Sequence, residues 1–163
     1  MVNSKLATPS PLRAMRTQTM EPKHKILVVD DEPCIRKFLR TLLEVDGFDV
    51  EAVSGGKEAL SKINNGERPD FILLNVLMPE MGGLETLQEL MRLDRSLNVI
   101  MESTSGEFRT IAEAIRLGAQ DYLVVPFEKA ELDEAMLRVT QGKQSKLPSY
   151  CWVERQISPL SMK

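Results

Sequence analysis

Short apolar runs alternate with helical apolar spacings from residue 25 onward, and this alternation predicts the fold. The apolar runs lie at residues 25–30, 48–53, 71–75, 97–101 and 122–125, and each has the length and composition of a buried β-strand. After the first run, apolar residues recur at i, i+3, i+4, i+7 and i+8, as on one face of a helix, and apolar residues that fit one side of a helix also follow each later run. Five strand–helix units in a row predict an open, doubly wound parallel sheet, an α/β fold.

Turn and cap residues predict where the helices begin and end. Pro33 begins the first helix and Gly47 ends it. Ser54 is the expected N-cap of the second helix. Gly118 ends the fourth helix, and Pro126 begins the fifth.

Length and composition predict one domain with two extensions. A chain of 163 residues with 42% apolar content can fill one core but not two. Residues 1–22 mix Ser, Thr, Pro and basic residues without apolar periodicity, which predicts a disordered basic leader. Residues 23–141 form the predicted domain, and residues 142–163 form a basic C-terminal tail. This tail is too short for a DNA-binding or enzymatic domain, so we expect a stand-alone module.

Charge and cysteine usage narrow the class of protein. The net charge is −3, but residues 1–25 carry +4 and residues 142–163 carry +3, so the body carries −10. Because residues 26–141 are strongly acidic, we do not expect the domain to bind nucleic acid. No apolar run approaches the roughly 18 residues of a membrane helix, and no secretory signal is present, so we expect a cytoplasmic protein without membrane contact. The two cysteines, Cys34 and Cys151, do not indicate a disulfide framework.

Polar residues follow the strands at one edge of the predicted sheet. Asp30 and Asp31 follow the first strand, Asn75 ends the third, and Ser103 and Val125 stand at the ends of the fourth and fifth. The carboxyl ends of parallel strands form the ligand crevice of such sheets. Two carboxylates there are costly to bury without a positive partner, which indicates a site. The alternative is that the acidic pair, or Glu32 beside it, only caps the following helix.

Four motifs in order carry a specific resemblance to a known family. KILVVDDEP at 25–33, FILLNVLMPEMGG at 71–83, VIMESTSGE at 99–107 and GAQDYLVVPF at 118–127 resemble the CheY-like receiver domain of two-component response regulators. The resemblance implies a flavodoxin-like (βα)5 fold with a five-stranded sheet. It also implies phosphorelay signalling, in which Mg²⁺ assists phosphoryl transfer from a partner histidine kinase to an aspartate.

The resemblance assigns roles to individual residues. Asp30 and Asp31 match the acidic pair that binds the metal, and Leu77 matches the residue whose backbone carbonyl completes the metal shell. Ser103 matches the hydroxyl that contacts the phosphoryl group; the alternative is an ordinary polar loop. Tyr122 matches the aromatic residue that changes rotamer on activation.

Two positions depart from the family pattern. Asn75 replaces the phosphoacceptor aspartate, and Val125 replaces the lysine that holds the phosphoryl oxygens. A neutral amide oxygen is a poor nucleophile and forms no acyl phosphate. Mg²⁺ remains possible, because Asn75 can supply one oxygen, but we expect weaker binding than with three carboxylates. The resemblance also implies a cis peptide bond between Val125 and Pro126.

Glu102 stands where this family usually carries an apolar residue. A buried Glu at this strand position needs a partner or a raised pKa. The alternatives are a functional carboxyl and a locally adapted or partly exposed one.

The leading hypothesis is a pseudo-receiver, which binds a histidine kinase or another signalling protein through its fourth helix, fifth strand and fifth helix. It is not phosphorylated at Asn75. One rival is a conventional phosphorelay protein phosphorylated at Asp30, Asp31 or Ser103. Another is a small-ligand sensor that uses the vacated crevice. No catalytic triad, metal-binding His/Cys cluster or dinucleotide fingerprint is present, so we expect no enzyme. The oligomeric state stays open.

Overall fold

The computed structural model describes residues 23–142, which form five strands and five helices in strict alternation. The strands are β1 (Lys25–Val29), β2 (Asp49–Val53), β3 (Phe71–Asn75), β4 (Val99–Ser103) and β5 (Asp121–Val124). The helices are α1 (Pro33–Val45), α2 (Gly56–Asn64), α3 (Gly83–Leu93), α4 (Phe108–Leu117) and α5 (Lys129–Thr140).

All five strands belong to one parallel sheet with the order β2-β1-β3-β4-β5. The chain moves outward from β1 to β2 and then returns to β3 on the other side of β1. The strand order therefore reverses at the carboxyl ends of β1 and β3, which is where such sheets bind ligands. The predicted doubly wound, flavodoxin-like fold is confirmed.

Side chains from alternate strand positions enter two cores, one on each face of the sheet. One core holds Leu39 and Leu43 of α1 with Leu132 and Met136 of α5. The other core is covered by α2, α3 and α4. Because both faces are covered, the central strands are apolar at nearly every position, and β3 is buried from Phe71 through Leu74.

Several predicted element boundaries differ from the structure, and most of the strand ends that differ do so by one residue. Gly55, not Ser54, occupies the N-cap position of α2. The Ser54 hydroxyl instead donates to Oε1 of Glu58, while its backbone N–H donates to Oε2. The fourth strand lies two residues later than predicted, because its first residue pairs with Ile72. The last helix begins at Lys129 and not at Pro126, because Glu128 occupies its N-cap position. The Val125–Pro126 bond is cis, as expected.

Gly83 lets the start of α3 lie directly against the end of β3. A Cβ atom at this residue would lie 2.1 Å from the backbone oxygen of Asn75 and 2.6 Å from Cα of Val76. The N–H of Gly83 also donates to the carbonyl of Val76 at 2.9 Å. This close approach ties the loop after Asn75 to the first turn of α3.

None of the helices within residues 23–142 is long and apolar enough to cross a membrane. The predicted leader, residues 1–22, and Cys151 lie outside the described residues. Of the predicted tail, residues 142–163, only Gly142 is described.

Replacing Gly83 with Ala should destabilise the domain by about 2 kcal/mol or more, because the new methyl group meets backbone atoms that cannot move aside. Gly82→Ala is the matched control, since a Cβ atom there meets only the Val76 carbonyl, at 4.0 Å. Urea denaturation of both variants measures the difference. Equal losses of stability would show that close packing at Gly83 is not required.

Candidate functional site

Asp30, Asn75 and Glu102 share one face of the sheet at its carboxyl edge. Asn75 and Glu102 are register partners on β3 and β4. Asp30 follows β1 directly, and strand alternation places it on the same face as Val28. The core on this face thus ends in three polar side chains on three adjacent strands.

The Asn75 amide joins the ends of β1 and β3. Its Nδ2 group donates to Oδ1 of Asp31 at 3.3 Å and to the backbone oxygen of Leu77 at 3.1 Å. Its Oδ1 atom accepts the N–H of Leu77 at 3.1 Å. The structure therefore brings together Asp31, Asn75 and Leu77.

The orientation of this amide decides how well the site fits a divalent cation. A backbone N–H only donates, so the contact with Leu77 N–H requires the amide oxygen on that side. The NH₂ group then faces Asp31 Oδ1 and Leu77 O, and it has no lone pair for a metal ion. Within residues 23–142, no three His, Cys, Asp or Glu side chains are arranged to hold a metal. In this arrangement the residues do not fit Mg²⁺.

Asp30 is buried, with 3% of its surface exposed, and its charge has nearby partners. Its Oδ1 accepts the N–H of Glu32 at 2.6 Å in a local turn. Nη1 of Arg36 donates to the Asp30 backbone oxygen at 2.7 Å. Burial raises the pKa of the Asp30 carboxyl above its usual value, while the Glu32 hydrogen bond and the Arg36 charge oppose the rise and Asp31 adds to it.

These contacts correct two expectations about the start of α1. Glu32 occupies the N-cap position, but its side chain makes no capping hydrogen bond. Asp30 closes the preceding turn instead. Arg36 was not predicted as part of the site; its only signal in the sequence is a basic residue one turn into a helix that follows an acidic pair.

Glu102 is buried, with 2% of its surface exposed, so the partly exposed alternative is wrong. Its Oε1 atom makes no hydrogen bond to any described residue. Burial, reinforced by the charge of Asp30, raises the pKa of the Glu102 carboxyl to about 8. The side chain therefore stays mostly protonated at neutral pH.

Ser103 and Tyr122 converge on the loop between β4 and α4. The Ser103 hydroxyl, in a residue 1% exposed, accepts the N–H of Ser105 at 3.1 Å. The buried Tyr122 donates its hydroxyl to the backbone oxygen of Ser105 at 2.8 Å. Ser105 thus links Ser103 and Tyr122.

Val125 lies just beyond β5, where its N–H donates to the backbone oxygen of Ser103 at 2.8 Å. Its half-buried side chain brings an apolar group to this edge of the sheet.

The family model of the response regulator receiver domain matches residues 26–137. The chain belongs to this family. Its receiver fold and two-component signalling class are thereby established.

Relatives of this receiver include single-domain and longer proteins. It is 31% identical over 118 residues to the chemotaxis protein CheY of Thermotoga maritima, covering 72% of this chain and 98% of that protein. It is 39% identical over 127 residues to a probable transcriptional regulator ycf27 of Guillardia theta, covering 78% of this chain and 49% of that protein. The receiver thus spans about half the length of several curated relatives it matches.

Solved receiver structures superpose on this one. The receiver domain of the Francisella response regulator 1452 is 31% identical, with a TM-score of 0.67 over 74% of this chain and 98% of that chain. The response regulator TrrA of Thermotoga maritima, in complex with Mg²⁺-BeF, is 31% identical, with a TM-score of 0.63 over 72% of this chain and 97% of that chain.

Glu102→Gln should stabilise this receiver increasingly as the pH rises from about 5 to 8. Folding raises the pKa of the Glu102 carboxyl from 4.5 to about 8. Between these pH values the carboxyl is ionised in the unfolded state but protonated in the folded state, so the wild type loses stability as the pH rises until the folded carboxyl also ionises. The neutral amide avoids that cost. The gain should level off above pH 8 at a few kcal/mol at most, since one pKa unit corresponds to about 1.4 kcal/mol.

Urea denaturation of both proteins at several pH values measures this gain. Glu85→Gln, at an exposed position of α3, is the control and should show no comparable pH-dependent gain. A constant difference between Glu102→Gln and the wild type across this pH range would contradict the assignment.

Proposed function

We propose that this chain is a pseudo-receiver, which acts in two-component signalling through contacts with other proteins and without phosphorylation at Asn75. The observation that carries the proposal is the Asn75 amide itself. It stands at the phosphoacceptor position of the family, and all its hydrogen-bonding contacts go to Asp31 and Leu77. A neutral amide so engaged offers no nucleophile to a phosphoryl donor.

The remaining receiver positions support the same function. Val125 brings an apolar side chain where the family has a lysine, so negative charge developing on a phosphoryl group would lack its usual protein cation. The Ser103 hydroxyl already accepts a hydrogen bond from Ser105. With Asn75 in place, Mg²⁺ binding should be weakened relative to a receiver with three carboxylates.

The proposed partner is a histidine kinase or another signalling protein, and the proposed contact surface consists of α4, β5 and α5. Tyr122 connects this surface to the site, because it lies in β5 and its hydroxyl contacts the loop that precedes α4. Among structural relatives, the CheY of Borrelia burgdorferi was solved in a complex with CheX, BeF₃ and Mg²⁺. The function is non-enzymatic, and the cytoplasmic location stays a prediction.

The two rival functions receive less support. Asp30 and Ser103 are buried, so a phosphoryl donor reaches neither without a rearrangement. Oδ1 of Asp31, the third candidate acceptor, accepts a hydrogen bond from the Asn75 amide. For the ligand sensor, a cavity of about 590 Å³ is lined by residues such as Lys25, Asp49 and Arg68. It lies by the amino ends of β1 and β2, at the opposite edge of the sheet from Asn75.

Incubation with acetyl phosphate and Mg²⁺ should leave the intact mass of the wild type unchanged. Asn75→Asp should gain one phosphoryl group, because a carboxylate is restored at the acceptor position. Adding Val125→Lys to the Asn75→Asp variant should raise its rate of phosphorylation about 100-fold, which is the usual effect of one group that stabilises developing negative charge. Asn98→Asp, which changes an amide before β4 far from the site, should gain nothing. A stoichiometric, hydroxylamine-sensitive adduct on the wild type would overturn the pseudo-receiver function.

A further inference from the structure

The Asn75 NH₂ group lies between two oxygens that the family pattern assigns to a metal ion. These are Oδ1 of Asp31 and the backbone oxygen of Leu77. Both are acceptors without a hydrogen, and both would otherwise face a cation or water. A single donor group contacts them at 3.3 and 3.1 Å.

We propose that the Asn75 amide takes the place of the divalent cation, so that this edge of the sheet stays assembled without a metal ion. The proposal goes beyond the pseudo-receiver function, because it concerns the cation and not phosphorylation. It assigns Asn75 two effects: the loss of a nucleophile and the occupation of the metal position.

Three hydrogen bonds keep the amide in this position. Turning its oxygen toward Asp31 and Leu77 O would place the NH₂ group against the N–H of Leu77, two donors facing each other. A metal ion therefore has to displace the side chain and break all three contacts. The partial positive charge of the NH₂ group also compensates the Asp31 carboxylate, as a cation would, at a smaller magnitude.

Two physical causes of weak metal binding make different predictions. If the lost negative charge alone weakens binding, Asn75→Ala binds a cation no better than the wild type. If the amide occupies the position, Asn75→Ala frees Asp31 and the Leu77 carbonyl, and binding becomes tighter even though no charge is added. Asn75→Asp adds the charge and removes the donor, so it should bind most tightly.

Titration with Mn²⁺, followed by the electron paramagnetic resonance of the free ion, measures these affinities. Asn75→Ala should bind Mn²⁺ about tenfold more tightly than the wild type, and Asn75→Asp more tightly again. Asn98→Ala is the matched control, because its Nδ2 also donates to a backbone oxygen, that of Asp70, at 3.0 Å. It should leave the affinity unchanged. Equal affinities of wild type and Asn75→Ala would overturn the proposal.

A second measurement uses the wild type alone and does not depend on the folding of a variant. The Asn75 side-chain NH₂ signals in a ¹⁵N NMR spectrum should keep their position and width at equimolar Mn²⁺. Selective broadening of these signals and of the Asp31 amide would overturn the proposal. A wild type that binds Mn²⁺ tightly but gains no phosphoryl group would remove this inference and leave the pseudo-receiver function in place.

Discussion

The buried carboxyl edge of β1, β3 and β4 imposes the constraint on which the site depends. A parallel sheet covered on both faces keeps water from its strand ends, and ionised side chains placed there lose their hydration. Asp30 and Glu102 are almost entirely buried at this edge, and Asp31 lies beside them. Each carboxyl needs a donor, a cation or a proton.

The receiver meets this need in three different ways. Asp31 accepts the Asn75 amide. Asp30 accepts the N–H of Glu32 and lies near the Arg36 guanidinium, which donates to its backbone oxygen. Glu102 has no such partner at Oε1 within the described residues, and its pKa of about 8 leaves it mostly protonated. In this arrangement hydrogen-bond donors and a proton compensate the buried carboxyls.

This arrangement connects local chemistry to the proposed signalling surface. In a working receiver the charge at the acceptor position changes with phosphorylation, and that change is the signal. Here the amide at Asn75 is neutral and engaged, while the contact from Tyr122 to Ser105 orders the loop before α4. The hydroxyl of Tyr122 thus links β5, within the proposed contact surface, to the loop that follows Ser103.

The fold and the family could be predicted from the sequence alone, because both depend on repeated local signals. Five apolar runs, helical spacing between them and Asp30, Asp31 and Asn75 at strand ends specify a receiver without any coordinates. Cap and loop positions were less predictable: Ser54 has the chemistry of an N-cap, yet it contacts Glu58 while Gly55 caps α2.

The electrostatics of the site, in contrast, depend on the three-dimensional arrangement of the strands. The direction of the Asn75 amide follows from the position of the Leu77 N–H, and the ionisation of Glu102 follows from its burial beside Asp30. The contribution of Arg36 depends on the path of α1. Distances between strands set these effects, and a linear pattern contains no such distances.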